Sequence, residues 1–133
     1  MDMKRLVIGT VVGGITMSGV GYLIWNVAFD YWGAGFVAAG VARESPLFLP
    51  EQLQNIPAAL LVTLAVEKNG SSAIVNGIKC GAIVGFVIWS TVGLAYYANT
   101  TIFDLTETIL DPLLASVQFG IAGGAIAAVL ATR

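Results

Sequence analysis

The chain has no histidine and one cysteine, Cys80. Without histidine, Ser-His-Asp and Cys-His catalysis are excluded, as are most zinc and haem sites. A single cysteine excludes an internal disulfide and a Cys-rich metal site. Near the start of an apolar run, Cys80 reads as a small buried hydrophobe. Charge is equally scarce: 11% of the 133 residues are charged and 57% are hydrophobic, where soluble domains carry about 25% charged residues. That is too little polar surface to solvate a globule, so lipid must cover much of it. Six scattered basic residues and a net charge of -2 cannot form the patch that phosphate binding needs, so no nucleic-acid partner is expected. There is no phosphate loop, no nucleophile beside a base and no metal-spaced ligand set. The expectation is therefore a non-enzymatic protein with no catalytic residues, cofactor or metal.

What the chain does have is uninterrupted apolar sequence. Residues 6–29, 80–103 and 112–132 carry no charge and run 24, 24 and 21 residues. About 20 apolar residues in a helix cross the hydrocarbon core of a bilayer. Lys4 and Arg5 before the first run resemble the start of a secretory signal. That run reaches Phe29, however, well past a signal's apolar stretch, and no small-x-small cleavage site ends it. An uncleaved anchor over about 5–29 is expected, with Tyr22, Trp25, Tyr31 and Trp32 at the headgroup boundary. Residues 31–42, YWGAGFVAAGVA, are too short to span and too apolar to float in water. They suit an interfacial or re-entrant segment, followed by a turn at Arg43–Pro46.

A further span over about 50–68 is less regular. Glu51, Gln52, Gln54 and Asn55 fill its first turns, and Pro57 interrupts it. Charge distribution argues that it crosses, because cytoplasmic loops carry the excess of Lys and Arg. If it crosses and the N-terminus is inside, Lys4, Arg5, Lys68, Lys79 and Arg133 are cytoplasmic and only Arg43 is outside. If it does not, only Lys4 and Arg5 stay inside. The loop EKNGSS at 67–72 then becomes a tight inner turn. A third span covers about 73–98, with Lys79 snorkelling at its inner end and Tyr96 and Tyr97 at the outer boundary. Asp111-Pro112 reads as a helix start, an acidic N-cap followed by proline at the first helical position. The last span is thus expected over 112–132, with Arg133 capping its inner end.

The clearest motif is small residues at four-residue spacing. Gly77, Gly81 and Gly85, with Gly93 on the same line, mark the third span; Ser116, Gly120, Gly124 and Ala128 mark the fourth. Gly9, Gly13 and Gly21 do so in the first. In lipid, helices gain little from hydrophobic burial, and small residues that permit close backbone approach hold them together. These stripes serve either packing within one bundle or contact with a second copy or partner subunit.

Asp104, Glu107 and Asp111 fall within about 60° on one face if the stretch is helical, and Gln118 continues the line. Acids inside a membrane are candidate ion or proton sites. A helix starting at Pro112 would leave Asp104 and Glu107 outside the core and make Asp111 an ordinary cap. The polar start of the second span and the Trp25-Asn26 end of the first, followed by Asp30, share the outer side with them. They either surround a polar vestibule or satisfy one another by hydrogen bonds. Trp89, with Ser90 and Thr91, is expected to pack rather than to bind a ligand.

GYLIWNVAFDYWGAG at 21–35, GAIVGFVIWSTVGLAYYANTTIFDL at 81–105, an acid at the head of the last helix (Asp111) and GIAGGAIAAVL at 120–130 resemble a family of small four-helix bacterial membrane proteins of uncharacterised activity. Trp-Asn stands here where that family has Trp-Tyr. The resemblance covers most of the chain in layout and implies four spans, with no activity to carry over.

The sequence thus predicts an all-α polytopic membrane protein. It forms a single domain over 1–133 with four transmembrane helices, an interfacial segment between helices one and two, and both termini cytoplasmic. The expected role is a structural or accessory subunit or homo-oligomer, with membrane lipids and itself or a larger membrane complex as partners. The alternative is a small ion- or proton-coupled transporter or channel using Asp104, Glu107, Asp111 and Gln118, with Lys79 near its inner mouth. An exporter of the small multidrug type needs a membrane-embedded Glu in its first helix, and this first span has no acid. A lipid-modifying enzyme, needing a carboxylate pair at a headgroup pocket, ranks third.

Overall fold

The computed structural model describes residues 2–70 and 73–132. Among these, all regular structure is helical. Helix α1 covers Met3–Tyr22 and runs on into a π-helical turn, Leu23–Ala28. Two short helices follow, α2 over Ala34–Ala38 and α3 over Phe48–Leu53. Then come α4, Asn55–Asn69; α5, Ile74–Asn99; and α6, Leu105–Ala131. Three stretches are long and apolar enough to cross a membrane: Met3–Ala28, Ile74–Asn99 and Leu105–Ala131.

The boundaries follow from local chemistry. Asp2 caps α1 by accepting from the Lys4 N–H at 2.9 Å. Gly70 ends α4 in the left-handed conformation (φ 67°) that glycine adopts without penalty. The break between α3 and α4 at Gln54 lies just before Pro57. A helical proline has no N–H and its ring crowds the carbonyl four residues back, here Leu53, so the rod kinks there.

The last helix corrects the expected start. It begins at Leu105, seven residues before Pro112, with Asp104 as N-cap. A reciprocal capping box closes this end: the Asp104 carboxylate accepts from the Glu107 N–H at 2.8 Å, and Glu107 accepts from the Asp104 N–H at 3.3 Å. This box satisfies two free donors of the first turn, so no cap is needed at Asp111. Asp111 and Pro112 lie inside the helix, both buried. Arg133, expected as the C-terminal cap, lies outside the described residues.

Helix α6 is the axis of the bundle. It shares its largest interface with α5, while α1 packs against both α4 and α6. The core runs along it through Phe119, Ala122, Ile126, Ala127 and Leu130, meeting Met17 of α1 and Ala59, Val62 and Val66 of α4. The α5–α6 seam is close enough to exclude any side chain. A Cβ on Gly77 would lie 2.3 Å from the Gly123 carbonyl oxygen, one on Gly81 2.0 Å from that of Phe119, and one on Gly85 2.6 Å from that of Ala115. On α6 the closest line is therefore Ala115, Phe119, Gly123 and Ala127, one residue round from the expected one. Gly120 and Gly124 border this seam against Ile78. Ser116 and Ala128 are half-buried, and the Ser116 hydroxyl donates to the Pro112 carbonyl at 2.9 Å. Gly93 lies in ordinary contact with Thr108. The glycines of α1 pack inward too, Gly9 on Thr63, Gly13 on Ile126 and Ala59, and Gly21 on Gln118.

The two ends of the bundle differ. At one, the Arg5 guanidinium pairs with the Glu67 carboxylate (2.8 Å) and donates to the Leu130 carbonyl at 3.0 Å, joining α1, α4 and α6. Arg5 thus occupies the capping role at the end of α6, where a cation is favoured by the helix dipole. Lys79, expected near an inner mouth, is exposed on α5. At the other end, α2 lies over an aromatic cluster. Phe36 meets Tyr96 and Phe103, Trp32 meets Phe36 and Trp89, and Tyr96 stacks on Phe103 at 5.1 Å. Gly35 permits this, since a Cβ there would run into the Ile102 carbonyl.

Candidate functional site

Helix α4 is 15 residues long, about 22 Å at the helical rise, so it does not reach the aromatic end. Above it the chain turns through the short α3, and a cleft of about 530 Å³ opens between α1, α3, α4, α5 and α6. Two of the walls follow from local irregularities. On α1 the wall is the π-helical turn, where the Phe29 N–H bonds the Ile24 carbonyl five residues back at 2.8 Å. Such wide turns are rare and concentrate at functional sites, where they re-aim side chains. Here the turn carries Trp25 and Asn26 into the cleft. On the opposite side the wall is the α3–α4 break, with Glu51, Gln52, Gln54 and Asn55. Helix α5 contributes Ile88, Trp89 and Val92, and α6 contributes Gln118 and Phe119.

The three tryptophans of the chain converge on this cleft. Trp25 stacks on Trp89 at 5.7 Å between ring centroids, and Trp32 meets Trp89 edge-on at 6.3 Å. Trp89 thus packs as expected and lines the cleft as well. The Trp25 Nε1–H donates to Gln118 Oε1 at 2.9 Å, and Gln118 Nε2 donates to the Met17 carbonyl at 3.0 Å. Asn55 Nδ2 donates to Ser18 Oγ at 3.0 Å. The two readings of the polar outer residues therefore coexist: some groups satisfy one another, and they do so around an open cleft. Asp30 is exposed and does not line it. Among the described residues, Glu51 is the one charged residue of the lining.

The acidic line of α6 does not assemble into one site. Asp104 and Glu107 are engaged in the capping box. Gln118 lines the cleft. Asp111 stands apart, with no exposed surface. Its Oδ1 accepts a 2.5 Å hydrogen bond from the Tyr31 hydroxyl, and its Oδ2 is buried without a partner. Burial, reinforced by the hydrogen bond to Asp111, pushes the Tyr31 phenol well above the ordinary tyrosine value. Tyr31 therefore stays a protonated donor throughout the neutral range. Among the described residues, no group of three or more His, Cys, Asp or Glu side chains is placed to hold a metal ion.

Sequence reasoning missed Ser18, Phe48 and the Tyr31–Asp111 pair. The signal that was available is Trp25 near the end of its apolar run and Trp32 just beyond it, on the side shared with the polar turn of 51–55; nothing local marked Trp89. No family model, curated protein or solved structure matches the chain, so the resemblance in layout supplies neither a family nor a role.

Proposed function

We propose that this is a four-crossing membrane protein that binds a small amphiphilic molecule in the cleft, entered from the side opposite both termini. The fourth crossing is the broken α3–α4 unit. Residues 48–69 make 22 positions, at most about 33 Å if the two helices ran straight on, against about 30 Å of hydrocarbon core. The grouping of Lys4, Arg5, Lys68 and Lys79 near one end, against Arg43 beyond the other, supports a cytoplasmic basic end. The observation that carries the binding role is the convergence of all three tryptophans, a π-turn and a helix break on one cleft of about 530 Å³ with a mixed, mainly apolar lining. That volume lies within the range of small-molecule sites, about 300–1,000 Å³. Discontinuous helices inside a membrane are tolerated where they line a cavity.

The glycines of the stripes face helices of the same chain, which leaves a homo-oligomer or accessory subunit neither required nor excluded by them. The ion- or proton-path alternative keeps one specific support, the unpartnered Oδ2 of buried Asp111. Its test is Asp111→Asn in liposomes: loss of ion flux from a folded protein would favour that path over the binding role.

Thiol accessibility tests the main proposal. In a Cys80→Ala background, Gln52→Cys and Ser18→Cys should react with a membrane-impermeant reagent added outside intact cells. Asn69→Cys should react only after the membrane is opened. A Ser18→Cys thiol that reacts only with a lipid-soluble maleimide would mean that lipid fills the cleft, and the binding role would fall.

A further inference from the structure

We infer that the cleft selects lipophilic organic cations, an inference that rests on its being an open binding site. Among the described residues, Glu51 is the one charged lining residue, and no Lys or Arg accompanies it. The basic side chains nearest in sequence to these walls, Arg43, Lys79 and Lys68, are exposed and line none of the cleft. A cation entering here meets one uncompensated carboxylate. An anion meets that carboxylate with no Lys or Arg in the described lining to offset it, and three of the donor groups there already make a hydrogen bond. Trp25 Nε1 is bonded to Gln118, Gln118 Nε2 to the Met17 carbonyl, and Asn55 Nδ2 to Ser18. The aromatic walls act in the same direction. Indole faces carry negative electrostatic potential and attract a desolvated cation, tryptophan most strongly of the aromatic side chains. Trp25 and Trp89 stack on each other by one face each and Trp32 meets Trp89 edge-on, so the indole surface offered to a ligand is what this packing leaves uncovered. Ile88, Val92 and Phe119 of the same lining are apolar and suit a hydrocarbon-bearing ion, and among the described residues no group of three or more His, Cys, Asp or Glu is placed to hold a metal ion.

The experiment compares two ions of matched size and shape and opposite charge. Tetraphenylphosphonium and tetraphenylborate are titrated by equilibrium dialysis against the intact protein in maltoside micelles, with protein-free micelles subtracted. The expected result is saturable binding of tetraphenylphosphonium that is at least about tenfold tighter than any saturable binding of tetraphenylborate. Glu51→Gln should remove most of that preference, and Trp89→Phe should weaken the cation by about threefold to tenfold, the range of a desolvated cation–π contact. Gel filtration and circular dichroism establish that each variant is folded. Glu51 is exposed and outside the core, so its variant tests charge without disturbing packing. Equal binding of the two ions, or an unchanged preference in Glu51→Gln, would overturn the cation assignment and leave the cleft as a binding site. Absence of binding by either ion while Ser18→Cys remains water-accessible would overturn it as well. Failure of the thiol test instead removes the cleft itself.

Discussion

The α5–α6 seam gives the sharpest quantitative test. Gly81→Ala adds one methyl group whose carbon would start 2.0 Å from the Phe119 carbonyl oxygen and 2.7 Å from its carbonyl carbon. Real Cβ atoms essentially never come within 3.0 Å of such atoms, so α5 and α6 must part locally by about 1 Å in a close-packed interior. The obstruction is backbone, which has no rotamer with which to yield. Moving it also loosens the neighbouring contacts of Gly77 and Gly85. Overpacking of this kind costs about 1–3 kcal/mol, partly offset by about 0.5–1 kcal/mol from the better helix propensity of alanine. A net loss of about 1–2 kcal/mol is expected. Gly93→Ala is the control, since its nearest contact would be an ordinary 3.7 Å to Thr108; it should be within about 0.5 kcal/mol of the parent. Gly123→Ala, 2.1 Å from the Gly77 carbonyl, should resemble Gly81→Ala. Combining the two should cost less than their sum, because one separation relieves both. The assay is unfolding of purified protein in maltoside micelles titrated with dodecyl sulfate, followed by circular dichroism. Equal stability of Gly81→Ala and Gly93→Ala would refute the backbone contact and with it the arrangement of α5 on α6.

Other consequences concern single side chains. Tyr31→Phe removes the one hydrogen bond to a fully buried carboxyl and should destabilise by about 1–3 kcal/mol; a smaller loss in an Asp111→Asn background would establish their coupling. Because the Tyr31 phenol titrates above the ordinary value of about 10, the folded state holds its proton more tightly than the unfolded chain. That contribution is complete below pH of about 10 and is lost as pH rises from there through the raised value. Spectrophotometric titration should find this tyrosine signal delayed in the parent and absent from Tyr31→Phe. Arg5→Ala and Glu67→Ala should each destabilise the bundle, with the double variant little worse than the worse single one. Arg5→Lys should not restore the parent, since an ammonium cannot span Glu67 and the Leu130 carbonyl in one plane. Asp104→Ala, which opens the capping box, should cost about 0.5–2 kcal/mol, measured by the same dodecyl sulfate titration.

Much of this was legible from one-dimensional pattern. A charge-free run of 20 or more residues has few stable forms other than a helix facing lipid or other helices, because each backbone polar group must be satisfied internally. Glycines every four residues lie near one face of such a helix, so close approach to another helix could be read without knowing which helix. The start of α6 was not legible, because two competent caps, Asp104 and Asp111, stand seven residues apart. Asp111-Pro112 is the stronger local pair, yet proline is also tolerated within a helix when neighbours fill its surroundings. The outer cap prevails because Asp104 and Glu107 form a reciprocal box, and because Asp111, once inside the helix, faces the Tyr31 hydroxyl from 80 residues away.

The sequence by itself determined the helical class, the three apolar rods and the scarcity of chemistry. Hydropathy, glycine spacing and the absence of histidine are local properties that no partner can alter. Only the tertiary structure decided which face each rod turns inward. The seam runs along Gly123 rather than Gly124, a difference of one residue and 100° of rotation that depends on how α5 and α6 interlock. Tertiary structure likewise decided that Arg5 reaches the Leu130 carbonyl at the end of α6, and that Asp111 is buried. It also gathered three tryptophans, separated by up to 64 positions between Trp25 and Trp89, around one cleft. Such contacts arise between segments remote in the chain, and their geometry exists only once the helices have packed.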